Sequence, residues 1–207
     1  MSWESERNLK IAFVGTGAQG ASIGADFALA GLDVTFIEQW PEHVDAMNEH
    51  GISVNMPMRS INANVRAKHL CQVAELRERF DVIFLVVKAY DTRWTCRLVE
   101  PVLASDGLVV GVQNGMTQRA IASVVGAERT VGAVFDMASN MFTPGVTNRQ
   151  NDRDTSWFAL GALDPANRER VERVAELLRL SGRVEVTDDI GSAKWMKLIV
   201  NAAQLVP

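Results

Sequence analysis

The stretch KIAFVGTGAQG, Lys10 to Gly20, opens as an apolar run, breaks into glycines spaced G-x-G-x-x-G, and passes into an alanine-rich segment, Ala21 to Ala30, closed by Gly31. That order predicts a buried strand, a tight turn and a helix, with the glycines at the junction. Gly15 permits the turn, Gly17 leaves bare backbone where a pyrophosphate would approach, and Gly20 lets helix and strand pack closely. Thr16, Ala18 and Gln19 complete the loop, and amide donors at the helix start face the phosphates. A second apolar run, DVTFIE, ends in Glu38, an acceptor for the ribose hydroxyls of an adenosine. The segment reads as a dinucleotide-phosphate cradle.

Working outward, strand-like runs at residues 10–14, 33–37, 81–87 and 107–112 alternate with helical patterns at 41–48, about 91–104 and 117–125. Alternation of this kind predicts an α/β, doubly wound parallel sheet of the Rossmann type, covered on both faces. Between Gly51 and Ala67 the polar alternation predicts a small exposed hairpin, an insertion and not a domain. VGAVF and WFALG, within residues 130–161, are expected to extend the sheet. Asn167 to Leu180 is an amphipathic helix with Val171, Val174, Leu177 and Leu178 on its apolar side, followed by a short strand, RVEV. After Asp188 and Asp189 a last helical run, IGSAKWMKLIVNAAQLV, is still apolar at Pro207. Residues 1–187 are therefore expected to be the dinucleotide-binding domain, and 188–207 the start of an incomplete helical substrate or dimerisation domain.

The bulk numbers exclude several classes. A 207-residue chain with 47% hydrophobic and 22% charged residues is ordinary for a globular protein, and a net charge of -4 gives no basic field for nucleic acid. No apolar stretch approaches the ~20 residues needed to cross a bilayer, and the polar start MSWESERN is no secretion signal, so the expected address is the cytoplasm. Cys71 and Cys96 show no C-x-x-C pattern and read as inert thiols, without disulfide framework or zinc cluster. His43, His50 and His69 lie among polar residues and are expected at the surface, with no metal or catalytic role.

An open parallel sheet binds ligands at the carboxyl ends of its strands. The polar residues there are Glu38, Lys88 after VIFLVV, and Asn114 in QNGM, and all three would face one crevice. Each has a simpler alternative: Glu38 can cap the next helix, Lys88 can be a surface lysine, and Asn114 before Gly115 can build a turn. In the last helix Lys194, Lys197 and Asn201 recur at spacings of three and four, forming one polar stripe that is either solvent-facing or functional.

GTGAQG, VVKAYD, QNGM and KWMKLIVN, in that order, resemble the ketopantoate reductase (2-dehydropantoate 2-reductase) family across nearly the whole chain. The resemblance implies hydride transfer from a reduced nicotinamide, NAD(P)H, to the carbonyl of a 2-oxo acid, a small-molecule substrate. It implies that Lys197 is the proton donor and contacts substrate, that Asn201 contacts substrate, and that Lys88 and Asn114 contact cofactor or substrate. Ala138, six residues past Gly132, matches another cofactor-contacting position.

Three positions depart from the family pattern. Gln39, beside Glu38, stands where the family commonly has an arginine for the 2′-phosphate of NADP, so NAD is favoured by these residues while the resemblance itself favours NADP. Arg59 or Arg66 in the insertion is the alternative cation. Leu205 replaces a second substrate-binding asparagine, which leaves open an NAD-dependent dehydrogenase of a different hydroxy or oxo compound. The family's helical domain would lie beyond Pro207, which leaves open a non-catalytic dinucleotide-binding fragment. A homodimer is compatible with the apolar last helix.

Overall fold

The computed structural model describes residues 9–204. Strand β1 (Lys10–Val14) enters helix α1 (Ala18–Leu29), and β2 (Asp33–Glu38) returns parallel to β1, closing a βαβ unit. Helix α2 (Pro41–His50) begins at a proline, whose missing N–H is harmless in a first turn. It leads through β3 (Ile52–Asn55) and β4 (Ser60–Ala63) to β5 (Arg66–His69), which pairs with β2. The chain then crosses to the other side of β1 as β6 (Phe80–Leu85), followed by α3 (Thr92–Val99), β7 (Leu103–Val112), α4 (Gln118–Val125) and β8 (Thr130–Asp136). Strands β9 (Ser139–Thr143) and β10 (Val146–Arg149) form a hairpin, and β11 (Trp157–Ala162) runs antiparallel to β8. Helix α5 (Arg168–Leu178), β12 (Arg183–Val186) and α6 (Ile190–Gln204) follow.

Among the described residues, eight strands form the main sheet in the order β12-β11-β8-β7-β6-β1-β2-β5, parallel except at β8–β11. The chain reverses its progress at β1, so a crevice lies at the carboxyl ends of β1 and β6, where open sheets of this kind bind ligands. The expected doubly wound arrangement is the one observed. Its strands are apolar on both faces: Ile11 and Phe13 of β1 join the core under α1, while Ala12 and Val14 join the core with α3 and α4.

Three expectations are corrected. The alternating segment after Gly51 forms the expected hairpin, β3 antiparallel to β4, but it is not an exposed insertion: Ile52, Val54, Met56 and Ala63 are buried, and β3 also pairs in parallel with the distant β10. Strands β4-β3-β10-β9 make a second sheet, so β8 and β11 extend the main sheet while β9 and β10 leave it. Polar alternation marks a sheet buried on one face, but periodicity cannot name the partner that buries it. The helix expected up to Ala104 ends at Val99, because Pro101 lacks an N–H and shapes a short 3-10 turn, and β7 starts at Leu103. Finally, His43 is buried, packed on the inner side of α2 with Val44 and Met47.

Helix α1 lies between the two sheets, and every residue from Gly20 to Phe27 is buried. A helix enclosed on all sides needs small residues. Gly24 meets this need, since a Cβ there would run into the Phe36 ring. The one charged residue inside, Asp26, is answered by Arg149 of β10 at 2.8 Å, with Arg149 fully buried. Arg149 also donates to Ser156 Oγ at 2.8 Å and to the Ser181 carbonyl, joining α1 and the hairpin to the segments just before β11 and β12.

Candidate functional site

The glycine loop sorts into three physical roles. Gly15 has φ of 83°, and a Cβ on it would stand 2.6 Å from Val87 Cγ1, so the turn needs glycine on both counts. Gly20 is bare because a Cβ would collide with the Gly15 carbonyl, which sets how closely α1 approaches the turn. Gly17 is different: its backbone is extended, and nothing lies within 4 Å of where its Cβ would be. Open space there, in front of a helix start with no acidic residue in its first turn, is room for an anion held by backbone amides. Thr16 is buried beneath the loop and donates to Glu38 Oε2 at 3.3 Å.

A cleft of about 640 Å³ opens at the carboxyl ends of β1, β2, β6 and β7, and Gly15, Gly17, Ala18, Gln19, Glu38, Lys88 and Asn114 all line it. Glu38 is only 7% exposed, and its Oε1 accepts from the Gln39 amide at 2.8 Å and the Trp40 amide at 3.3 Å. With Thr16, three donors fix the carboxylate at the lip of the cleft. Lys88 is exposed at the turn before α3. Asn114 Oδ1 accepts from the Phe135 amide at 3.0 Å, so this side chain ties the β7 loop to β8 besides facing the cleft. Of the alternative cations, Arg66 is held along β2 by Thr35 at 3.0 Å and by Asp33 and Glu78 at 3.3 Å.

Other expected residues stand outside the lining. The Ala138 amide donates to Asn151 Oδ1 and its carbonyl accepts from the Gln150 amide, both at 2.8 Å; its neighbour Ser139 lines the cleft instead. Lys197 donates to Asp136 Oδ1 at 2.9 Å; neither of the two lines the cleft, and Asp136 follows Phe135, which does. Asn201 is half-buried one turn further along α6, and Leu205 lies outside the described residues.

Sequence reasoning missed two buried polar side chains, Lys194 and His43. Lys194, expected on an open stripe, is fully buried and donates to the carbonyls of Gln113, Gly115 at 3.1 Å and Ala133 at 2.7 Å. Burial pushes its ammonium down to about 7. His43 Nδ1 accepts from the Gly145 amide at 2.9 Å, so Nε2 carries the proton and donates to the Thr16 carbonyl at 2.9 Å. The imidazole thus props the glycine loop from behind. Its signal was available, since positions 43, 44 and 47 share one face of α2. Leu70, Tyr90 and Trp94 add an apolar wall to the cleft. Burial raises the Cys96 thiol to about 11, consistent with an inert role. Among the described residues no His, Cys, Asp and Glu group is placed to hold a metal, and no helix is long and apolar enough to cross a membrane.

Phosphate room at Gly17, a fixed carboxylate at the end of β2 and polar groups at the ends of β6 and β7 fit a dinucleotide. Known proteins agree in sequence and in fold. The model of the family described as ketopantoate reductase PanE/ApbA matches residues 11–163. The 2-dehydropantoate 2-reductase of Archaeoglobus fulgidus is 31% identical over 94% of this chain and 61% of its own length, and that of Pyrococcus horikoshii 29% over 94% and 62%. In fold, the ternary structure of D-mandelate dehydrogenase with NADH and anilino(oxo)acetate superposes with a TM-score of 0.84 at 24% identity, covering 93% of this chain and 61% of that one. The chain spans about three fifths of the length of the relatives it matches. With the family model matching residues 11–163, this chain belongs to the ketopantoate reductase family.

Proposed function

We propose that the cleft binds a reduced nicotinamide dinucleotide and that the whole protein reduces a 2-oxo acid of the ketopantoate type to its hydroxy acid, with Lys197 as proton donor. The observation that carries this reading is the gathering of Gly17, Glu38, Lys88 and Asn114 around one cleft at the sheet's switch point. NADH is the favoured cofactor. The fixed Glu38 carboxylate accepts from ribose hydroxyls and repels a 2′-phosphate, Gln39 offers no cation, and Arg66 is engaged elsewhere.

When bound, the dinucleotide supplies the hydride. As the substrate carbonyl carbon gains it, the C=O pair moves onto oxygen, and the Lys197 ammonium stabilises that charge and passes a proton to it. Asp136 is 73% exposed while Lys197 is 14% exposed, so the pair opens to solvent on its carboxylate side. Asn201, one turn along the same helix, contacts the substrate, and Lys88 and Asn114 hold cofactor or substrate. Residues 188–207 begin a helical substrate or dimerisation domain, a reading supported by the exposed apolar Trp195, Met196 and Ile199 of α6.

Lys197→Ala in the whole protein is expected to lower kcat by about 10²- to 10⁴-fold with little change in NADH affinity. Unchanged turnover would remove Lys197 from the mechanism. A panel of 2-oxo acids, assayed alongside, is expected to favour ketopantoate.

A further inference from the structure

We propose that Lys194 is a positioning residue that seats helix α6, and with it Lys197, against the loop after β7. The inference rests on the reading of Lys197 as donor. Gly132 and Gly161 are register partners across β8 and β11, making a bare strip under α6, while their neighbour in β7, Gly111, lies under Ile121 of α4. A Cβ on Gly132 would stand 3.0 Å from Ile190 Cγ1 and 3.5 Å from Lys194 Cε, and one on Gly161 would stand 2.8 Å from Ile190 Cβ. The first turns of α6 therefore lie flat on the sheet, and the Lys194 stem runs along it to a site made only of carbonyls.

That site has three acceptors, from Gln113, Gly115 and Ala133, which match the three N–H groups of an ammonium. Two of them flank Asn114, the cleft residue that holds the Phe135 amide, and the third lies on β8 three residues before Asp136, which holds Lys197. One side chain thus fixes the helix carrying the donor to the loop and strand that wall the cleft. A fully buried lysine is costly unless it is hydrogen-bonded, and an apolar residue would seal the strip as well, so the polar link itself is what this position supplies.

Kinetics and NADH titration of the whole protein test this. Lys194→Met keeps the stem and removes the donors. It is expected to lower kcat by about 10²-fold, the effect of a displaced reacting group, while NADH affinity stays within about threefold. Lys194→Gln, whose amide offers two N–H groups, is expected to recover part of the loss. A folded Lys194→Met protein with wild-type kcat and only a lower Tm overturns the proposal, and so does a parallel loss of kcat and NADH binding. Should Lys194→Met not fold, Gly161→Ala decides by the same split, because its Cβ would stand 2.8 Å from Ile190 Cβ and force the start of α6 to shift without touching the three carbonyls; unchanged kcat there also overturns the proposal. Lys197→Ala separates the two ideas. If it is inactive while Lys194→Met turns over normally, only the positioning role fails; if it is active, the donor reading itself fails.

Discussion

Two of the loop glycines are bare because neighbours leave no room, whereas Gly17 faces open space, which the proposed function assigns to the cofactor's phosphates. Substitution separates these roles. Gly17→Val, with open space around its Cβ, is expected to keep Tm within a few degrees while NADH affinity falls by about tenfold or more, about 1.4 kcal/mol. Gly20→Ala is expected to cost about 1–3 kcal/mol of stability by overpacking against the Gly15 carbonyl. Calorimetric titration and urea unfolding of both variants check the contrast. Lys194 gives a second residue-scale prediction. Its proton leaves near pH 7 in the folded protein and near 10.5 in the unfolded chain, so between those values the unfolded chain holds more protons. Stability relative to Lys194→Met therefore rises with pH from 7 towards 10 and is flat below 7. Urea unfolding at pH 6.5 and pH 9 reads this directly; a constant difference would mean that the three carbonyls hold the ammonium charged.

At the scale of elements, α1 owes its place to small residues and to one buried ion pair. Burial pulls the Arg149 guanidinium below its usual range, and Asp26 pulls it back. A pair of this kind adds little net stability, yet breaking it leaves a charge in the core. Arg149→Met is expected to cost about 3–5 kcal/mol, and Asp26→Leu combined with Arg149→Met to recover most of it, as denaturant unfolding of the three proteins will show. The second sheet depends on the same pair, since β10 carries Arg149 and joins β3 and β9 over α1. Helix α6 contrasts with α1. Ile190 and Lys194 are buried against the main sheet while Trp195, Met196 and Ile199 remain exposed.

For the molecule as a whole, cofactor preference is a question of how ligand binding adds to global stability. A ligand at a hundred times its Kd adds about 2.7 kcal/mol, and a chain of this size gains about 2–4 °C per kcal/mol. NADH in that excess is expected to raise Tm by about 5–10 °C, and NADPH at equal concentration by less. An equal or larger shift with NADPH would show that a cation reaches the 2′-phosphate after all, Arg59 being the remaining candidate in the insertion.

The sequence alone determined what is local. The strand-turn-helix at Lys10 to Gly20, the acid at Glu38 and the polar strand ends at Lys88 and Asn114 follow from spacing, because neighbours along the chain fix turn geometry and strand ends share one edge of a parallel sheet. Only the tertiary structure decided what distant segments bring to each other. Asp26 meets Arg149, β3 meets β10, His43 reaches the Thr16 carbonyl, and Lys194 finds its three acceptors in the loop after β7 and on β8. Periodicity tells which face of an element is covered, but a buried polar group is satisfied by partners whose identity depends on packing, and packing is a property of the whole chain.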